Sequence, residues 1–106
     1  MKYGIPFLLD SNNQLTGLFA LYTTEGPIIF IFTNQNKMER FGKIASNMAA
    51  QSGNKFGWVD FQASSFSNVV SQLVSMDSSL AGSTNFIPDS DPFFDQILMS
   101  LRDRIP

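Results

Sequence analysis

The stretch that most constrains how this chain can fold is Gly26–Asn54. It opens with Gly26-Pro27 and continues as Ile28-Ile29-Phe30-Ile31-Phe32. Thr33-Asn34 follow, then a helical pattern that closes at Gly53. The apolar run shows no alternation. Consecutive β-branched and aromatic residues between turn signals predict a strand covered on both faces, hence a central one. Asn34 is a good N-cap. After it, Met38, Phe41, Ile44, Ala45, Met48 and Ala49 fall on one stripe at helical period, and Gly53 fits the stop. Lys37, Arg40 and Lys43 lie off the stripe.

The flanking chain supplies further elements. Tyr3–Asp10 and Gln14–Thr23 read as a hairpin around Asp10-Ser11-Asn12-Asn13. Pro6 would place the first strand at an edge or confine the strand start to it, and Gly17 marks a bulge. Thr24-Glu25-Gly26-Pro27 is the next turn. Phe56–Gln62 reads as a strand with Phe56, Trp58 and Asp60 on one face and Gly57, Val59 and Phe61 on the other. A helix starts near Ser64 or Ser65, with Phe66, Val69, Val70, Leu73 and Val74 as its stripe. Asn85-Phe86-Ile87 forms a short strand. Asp91 and Pro92 start a last helix as N-cap and first residue, with Phe94, Ile97, Leu98, Leu101 and Ile105 inward. Asp95 in its first turn and Arg102 and Arg104 in its last favour the helix dipole.

The order is strand, strand, strand, helix, strand, helix, strand, helix. It predicts an α/β (α+β-like) fold over residues 1–106 as a single domain. The expected architecture is one mixed sheet of about five strands, an N-terminal hairpin plus parallel βα units, with helices packed on the sheet.

Composition narrows the chemistry. The chain has no Cys and no His, which removes thiolate nucleophiles, disulfides, and the commonest general base and metal ligand. No catalytic spacing replaces them, so the expectation is no enzyme, no cofactor and no metal. Net charge is −2, which disfavours a general nucleic-acid binder. The longest apolar run is far short of the ~20 residues that span a bilayer, and the N-terminus lacks a signal-peptide layout. The expectation is a soluble cytoplasmic protein that starts at its own Met1.

Four groups of residues are candidates for function. Asn54–Phe61 resembles the octapeptide of RNA-recognition motifs, in which aromatics stack on bases. Lys55 stands where that motif has Gly, and the chain lacks the strand that precedes it. That reading makes Phe56, Trp58 and Phe61 a single-stranded nucleic-acid platform. Asp60 is the one acid inside a predicted strand. Buried, it would gain a raised pKa and anchor a carboxylate-dependent enzyme; on an open edge it would not. Asp89, Asp91 and Asp95 could gather around a cation at the last helix start, although capping alone explains Asp91. Lys37, Arg40 and Lys43, with Lys55 nearby, form a cationic helix side that is either solvated or partner-binding.

Pro27–Phe41, with Phe32-Thr33-Asn34 at its centre, resembles the start of the SseB N-terminal-type (enhanced serine sensitivity) domain. Members of that family carry a hydrophobic strand ending in Phe-Thr-Ser or similar before a charged, apolar-periodic helix. Asn85-Phe86-Ile87-Pro88 stands where the family reads apolar-Asn-Pro. The resemblance implies a small α/β domain not known as an enzyme, and it brings no catalytic residues. The leading expectation is therefore a non-catalytic protein-interaction module, with a homodimer as one form. The excess of aromatics, 11 Phe in 106 residues, would supply an exposed apolar patch. Lys37, Arg40, Lys43, Phe56, Trp58 and Asp60 are its candidate contacts.

Overall fold

A computed structural model describes residues 1–24 and 26–104, the side chains of 102–104 excepted. Glu25, the side chains of Arg102 and Arg104, and Ile105 therefore lie outside the described residues. The elements are β1 (Lys2–Leu9), β2 (Leu15–Leu18), β3 (Leu21–Thr23), β4 (Gly26–Ile31), α1 (Gln35–Gln51), β5 (Lys55–Gln62), α2 (Phe66–Met76), β6 (Asn85–Pro88) and α3 (Pro92–Arg104). The caps are those the sequence signals. Asn34 accepts from the Lys37 N–H at 3.1 Å, Ser65 from the Asn68 N–H at 3.2 Å and Asp91 from the Phe93 N–H at 2.9 Å. Gly53, just past α1, sits at φ +76°, a conformation that costs glycine little.

The mixed α/β class holds, but the single five-stranded sheet does not. There are two three-stranded sheets, ordered β2-β1-β5 and β3-β4-β6. The expected strand Gln14–Thr23 breaks at Phe19-Ala20. Its first part pairs with β1 and its second with β4. The register of β1 on β2 shifts between Leu8 and Leu9, leaving Thr16 as the extra residue beside Gly17. The bulge adds local twist, but Gly17 and Leu18 still pair with β1 beyond it, and the Phe19 N–H still bonds the Pro6 carbonyl before the chain crosses to the other sheet. The sheets touch at one bridge, where Gly4 and Phe32 exchange backbone bonds of 2.8 and 3.0 Å.

Two further expectations change. Among the described strands only β4 and β6 pair in parallel; β5 runs antiparallel to β1 over its whole length. Pro6 sits inside β1, the middle strand of its sheet, rather than at an edge. Its missing N–H falls where the far side of β1 passes from the Phe32 bridge to β2, and its carbonyl accepts from the Phe19 N–H at 2.9 Å. A proline is tolerated where the ladder is interrupted.

β4 is central and covered on both faces, as its unalternating sequence requires. Ile28, Phe30 and Phe32 point to α1 and α3, where they meet Phe41, Ala45, Phe94 and Leu98. Ile31 points to α2, with Tyr3, Ile5, Phe7, Val69 and Leu73. Most of the phenylalanines are consumed here. Phe7, Phe19, Phe30, Phe32, Phe41 and Phe94 are buried, and the Phe30–Phe94 and Phe32–Phe94 rings meet edge-on at 5.0 and 5.4 Å. Such edge-to-face contacts stabilise by about 1 kcal/mol each beyond area burial. Only Phe93 is exposed among the phenylalanines, and only at 38%. The aromatic excess is core, not a surface patch.

Candidate interaction surface along the fifth strand and first helix

The ladder geometry of β1 decides what β5 presents. In an antiparallel pair, residues alternate between those that exchange hydrogen bonds with a neighbour and those whose N–H and C=O point away. Gly4 exchanges both its bonds with Phe32, and the Pro6 carbonyl takes the Phe19 N–H. Both residues therefore direct their main-chain groups away from β5. The register pairs Gly4 with Asp60 and Pro6 with Trp58. Hence Tyr3, Ile5, Phe7 and Leu9 bond to β5, and the partners of the other set, Phe56, Trp58, Asp60 and Gln62, turn their N–H and C=O outward. β5 is the last strand of its sheet, so these groups line an open edge. The Gln62 carbonyl is already taken by the Gln72 side-chain amide at 3.0 Å, which bears out the alternation. Phe56, Trp58 and Asp60 remain. Eight residues pair with β1 without a register shift, which makes β5 the longest edge strand among the described residues. β2, β3 and β6 have four, three and four residues.

One face of this edge lies under α1. Phe56 and Trp58 are half-buried there. Their rings are 5.1 Å apart, and Trp58 stands edge-on to Phe32 at 4.9 Å. Gly42 of α1 faces these rings; a Cβ there would lie 3.4 Å from the indole nitrogen of Trp58. On the solvent side, Met38, Glu39, Gly42, Lys43, Ser46, Phe56 and Trp58 line a shallow concavity of about 420 Å³.

The six candidate contacts divide unequally. Lys43, Phe56 and Trp58 share the concavity. Asp60 lies further along the same face by alternation, exposed, with its carboxylate 3.6 Å from the Lys2 ammonium. An exposed pair of that kind contributes little, and a solvated Asp60 lacks the burial that the carboxylate reading needed. Arg40 sits on the other side of Lys43, on a depression between α1 and α3 with Ile44, Leu98 and Met99. Lys37 is not part of a cationic face at all. It is half-buried, donates to the Asp89 carbonyl at 2.6 Å and lies 5.6 Å from the centre of the Phe94 ring. Phe61 points to the opposite face, among the residues under α2. The three aromatics thus do not form one open platform for bases.

The acids near α3 do not converge either. The Asp89 side chain is turned to the Thr33 and Asn34 N–H groups, and Asp91 caps α3. No group of three metal-ligating side chains occurs among the described residues. A separate cleft of about 390 Å³ opens where β2 and β3 part, lined in part by Tyr22, Pro27, Leu73, Met76 and Asp77. At its rim the Asp77 carboxyl is held below its usual value by hydrogen bonds from the Ser79 hydroxyl and then the Ser79 N–H, at 2.6 and 3.0 Å. Those bonds complete a local turn.

Sequence reading finds the side chains of this surface but not its main chain. Which N–H groups of β5 are free depends on β1, some fifty residues away, and on the Phe32 bridge. The one local hint is Pro6, whose strand neighbour across the pair must turn its own groups outward.

Family models, curated proteins and solved structures yield no match to this chain.

No helix among the described residues is long and apolar enough to cross a membrane.

Proposed function

We propose that the protein is a non-catalytic interaction module that takes an extended segment of a protein partner along the open edge of β5. The observation that carries this is the row of outward N–H and C=O groups on Phe56, Trp58 and Asp60, beside a concavity lined by α1. An unpaired edge is a template for another strand. Strand addition draws affinity from main-chain bonds and specificity from pockets that take alternate side chains. Met38, Gly42, Phe56 and Trp58 offer an apolar seat to one such side chain, and Glu39, Lys43 and Ser46 offer polar contacts at its rim. The likeness to the SseB N-terminal type, a domain not known as an enzyme, fits the same reading.

The test is selection of binders from a random peptide library, with counter-selection against Asp60→Pro. Proline removes an outward N–H and leaves the β1 ladder intact, because the Asp60 main chain makes no bond to β1; only the exposed Lys2–Asp60 ion pair goes with the side chain. Peptides that bind the parent, quench or shift Trp58 fluorescence, and lose affinity for Asp60→Pro support the reading. Absence of any Asp60→Pro-sensitive binder overturns it.

A further inference from the structure

The same edge is complementary to itself. We propose that β5 pairs with β5 of a second copy of the chain, antiparallel about a two-fold axis at Trp58, so that two three-stranded sheets become one of six strands. This rests on the edge-docking reading above and names its occupant.

The register follows from which groups are free. Phe56, Trp58 and Asp60 are evenly spaced about Trp58, and the next outward residue, Gln62, has its carbonyl engaged by Gln72. Centring on Trp58 sets Trp58 against the partner's Trp58, and Phe56 against the partner's Asp60, and the reverse. Each of these three pairs exchanges two backbone bonds. Shifting the axis by one residue toward the N-terminal end of β5 drops Asp60 out of the ladder. Shifting it the other way calls on the occupied Gln62.

Charge selects the same arrangement. The α1 face of the edge is bipolar. Lys43 lines the concavity with Phe56 and Trp58, and Asp60, an exposed carboxylate 3.6 Å from Lys2, lies beyond Trp58. An antiparallel copy places each Lys43 beside the partner's Asp60, twice by symmetry. Glu39 and Lys43, one turn apart on α1, likewise meet their counterparts in reversed order. A parallel copy would set like against like. β5 itself carries no proline and no bulge, two of the devices that protect an edge from its own kind, and its two charged residues are Lys55 and Asp60. A two-fold interface of this sort is isologous and closes at two subunits.

Sedimentation equilibrium over a dilution series, from low micromolar to several hundred micromolar, reads the outcome. The expected result is a mass that rises from one chain to two and no further. Asp60→Pro is expected to stay at one chain at every concentration, with an unchanged circular dichroism spectrum. Lys43→Glu weakens the dimer at least about tenfold by placing two acids together on each side. Combining it with Asp60→Lys restores assembly, an outcome that loss of folding cannot mimic. A monomer at all concentrations overturns the second-copy proposal, and so does a dimer indifferent to both Asp60→Pro and the charge reversal. If the parent is monomeric yet peptides still bind in an Asp60→Pro-sensitive way, the edge reading stands and only this occupant falls.

Discussion

The ammonium of Lys37 donates to the main-chain carbonyl of Asp89 at 2.6 Å, joining the first turn of α1 to the segment between β6 and α3. The Asp89 carboxylate returns the link. Its Oδ2 accepts from the Thr33 and Asn34 N–H groups at 2.9 Å each, and its Oδ1 from the Thr33 hydroxyl at 3.2 Å. Asp89 also donates its own N–H to the Ile31 carbonyl at 3.0 Å. The parallel pair β4–β6 is thus carried one residue further, and the start of α1 is fixed over the end of β4. That junction sets how α1 lies across the sheet, and so where Lys43 stands beside β5.

Asp89→Ala should lower stability by about 2–3 kcal/mol, because Asp89 is 2% exposed and three donors lose a charged acceptor. Asp89→Asn should cost only about 1 kcal/mol. The amide oxygen can keep the two N–H groups, the Thr33 hydroxyl can turn to accept, and what is lost is the negative charge near the α1 N-terminus. Urea denaturation of the three proteins measures both differences. Equal losses for the two variants would mean that the charge, not the bond geometry, holds the junction.

The fold was legible where a signal is local. The caps Asn34, Ser65 and Asp91, the stop at Gly53 and the buried run Ile28–Phe32 all depend on residues within a turn or strand of one another. The sheet arrangement was not. The split of residues 15–23 between two sheets falls at Phe19-Ala20, after Leu18 has paired with Phe7 and before Leu21 pairs with Ile28, and alternation alone cannot show it. The antiparallel seat of β5 depends on β1, whose pairing has no local mark. Lys37 read as part of a cationic helix side open to solvent or a partner because its own partner lies 52 positions away, and Asp89 read as part of an acidic cluster because nothing near it announces Thr33. At the interaction surface, Phe56, Trp58 and Lys43 were visible as residue types, but the open main chain between them was not.

Gly26 tests the turn into β4. It sits at φ +111°, and a Cβ there would lie 3.2 Å from the Ser83 carbonyl oxygen. Gly26→Ala should therefore cost more than the ~1 kcal/mol typical of an alanine forced into positive φ. Gly53→Ala, at φ +76° with open space around it, should cost about 1 kcal/mol and no more. Thermal denaturation of the pair separates strain from contact, and a Gly26→Ala loss equal to that of Gly53→Ala would show that the Ser83 carbonyl yields freely.

Asp77 gives a pH dependence with a defined sign. Its carboxyl is held below 3.8 in the folded chain by the Ser79 hydroxyl and N–H. A folded pKa below the unfolded one means that the unfolded state binds the proton more readily, so stability falls as pH falls. The contribution is complete above the unfolded value and fades as pH drops through the folded one. Stability profiles of the parent and Asp77→Asn should converge toward acid, below about pH 4, and separate above it. Profiles that run parallel through that window would mean that the Ser79 bonds do not distinguish the two protonation states.

Gly42 couples the helix to the strand edge. In a helix interior, replacing glycine by alanine stabilises by up to about 1 kcal/mol, and the added methyl would meet Trp58 at 3.4 Å and Phe56 at 3.7 Å, ordinary packing distances. Gly42→Ala should therefore raise the urea midpoint without changing its slope. Gly42→Leu should do the reverse, costing about 1–3 kcal/mol by overpacking, and should lift α1 from the strand. Trp58 is the only tryptophan, so its emission reports that movement directly. A red shift in Gly42→Leu but not in Gly42→Ala is expected. If Gly42→Ala already red-shifts and destabilises, α1 cannot yield even a methyl's width, and the concavity beside β5 is set rigidly by that one glycine.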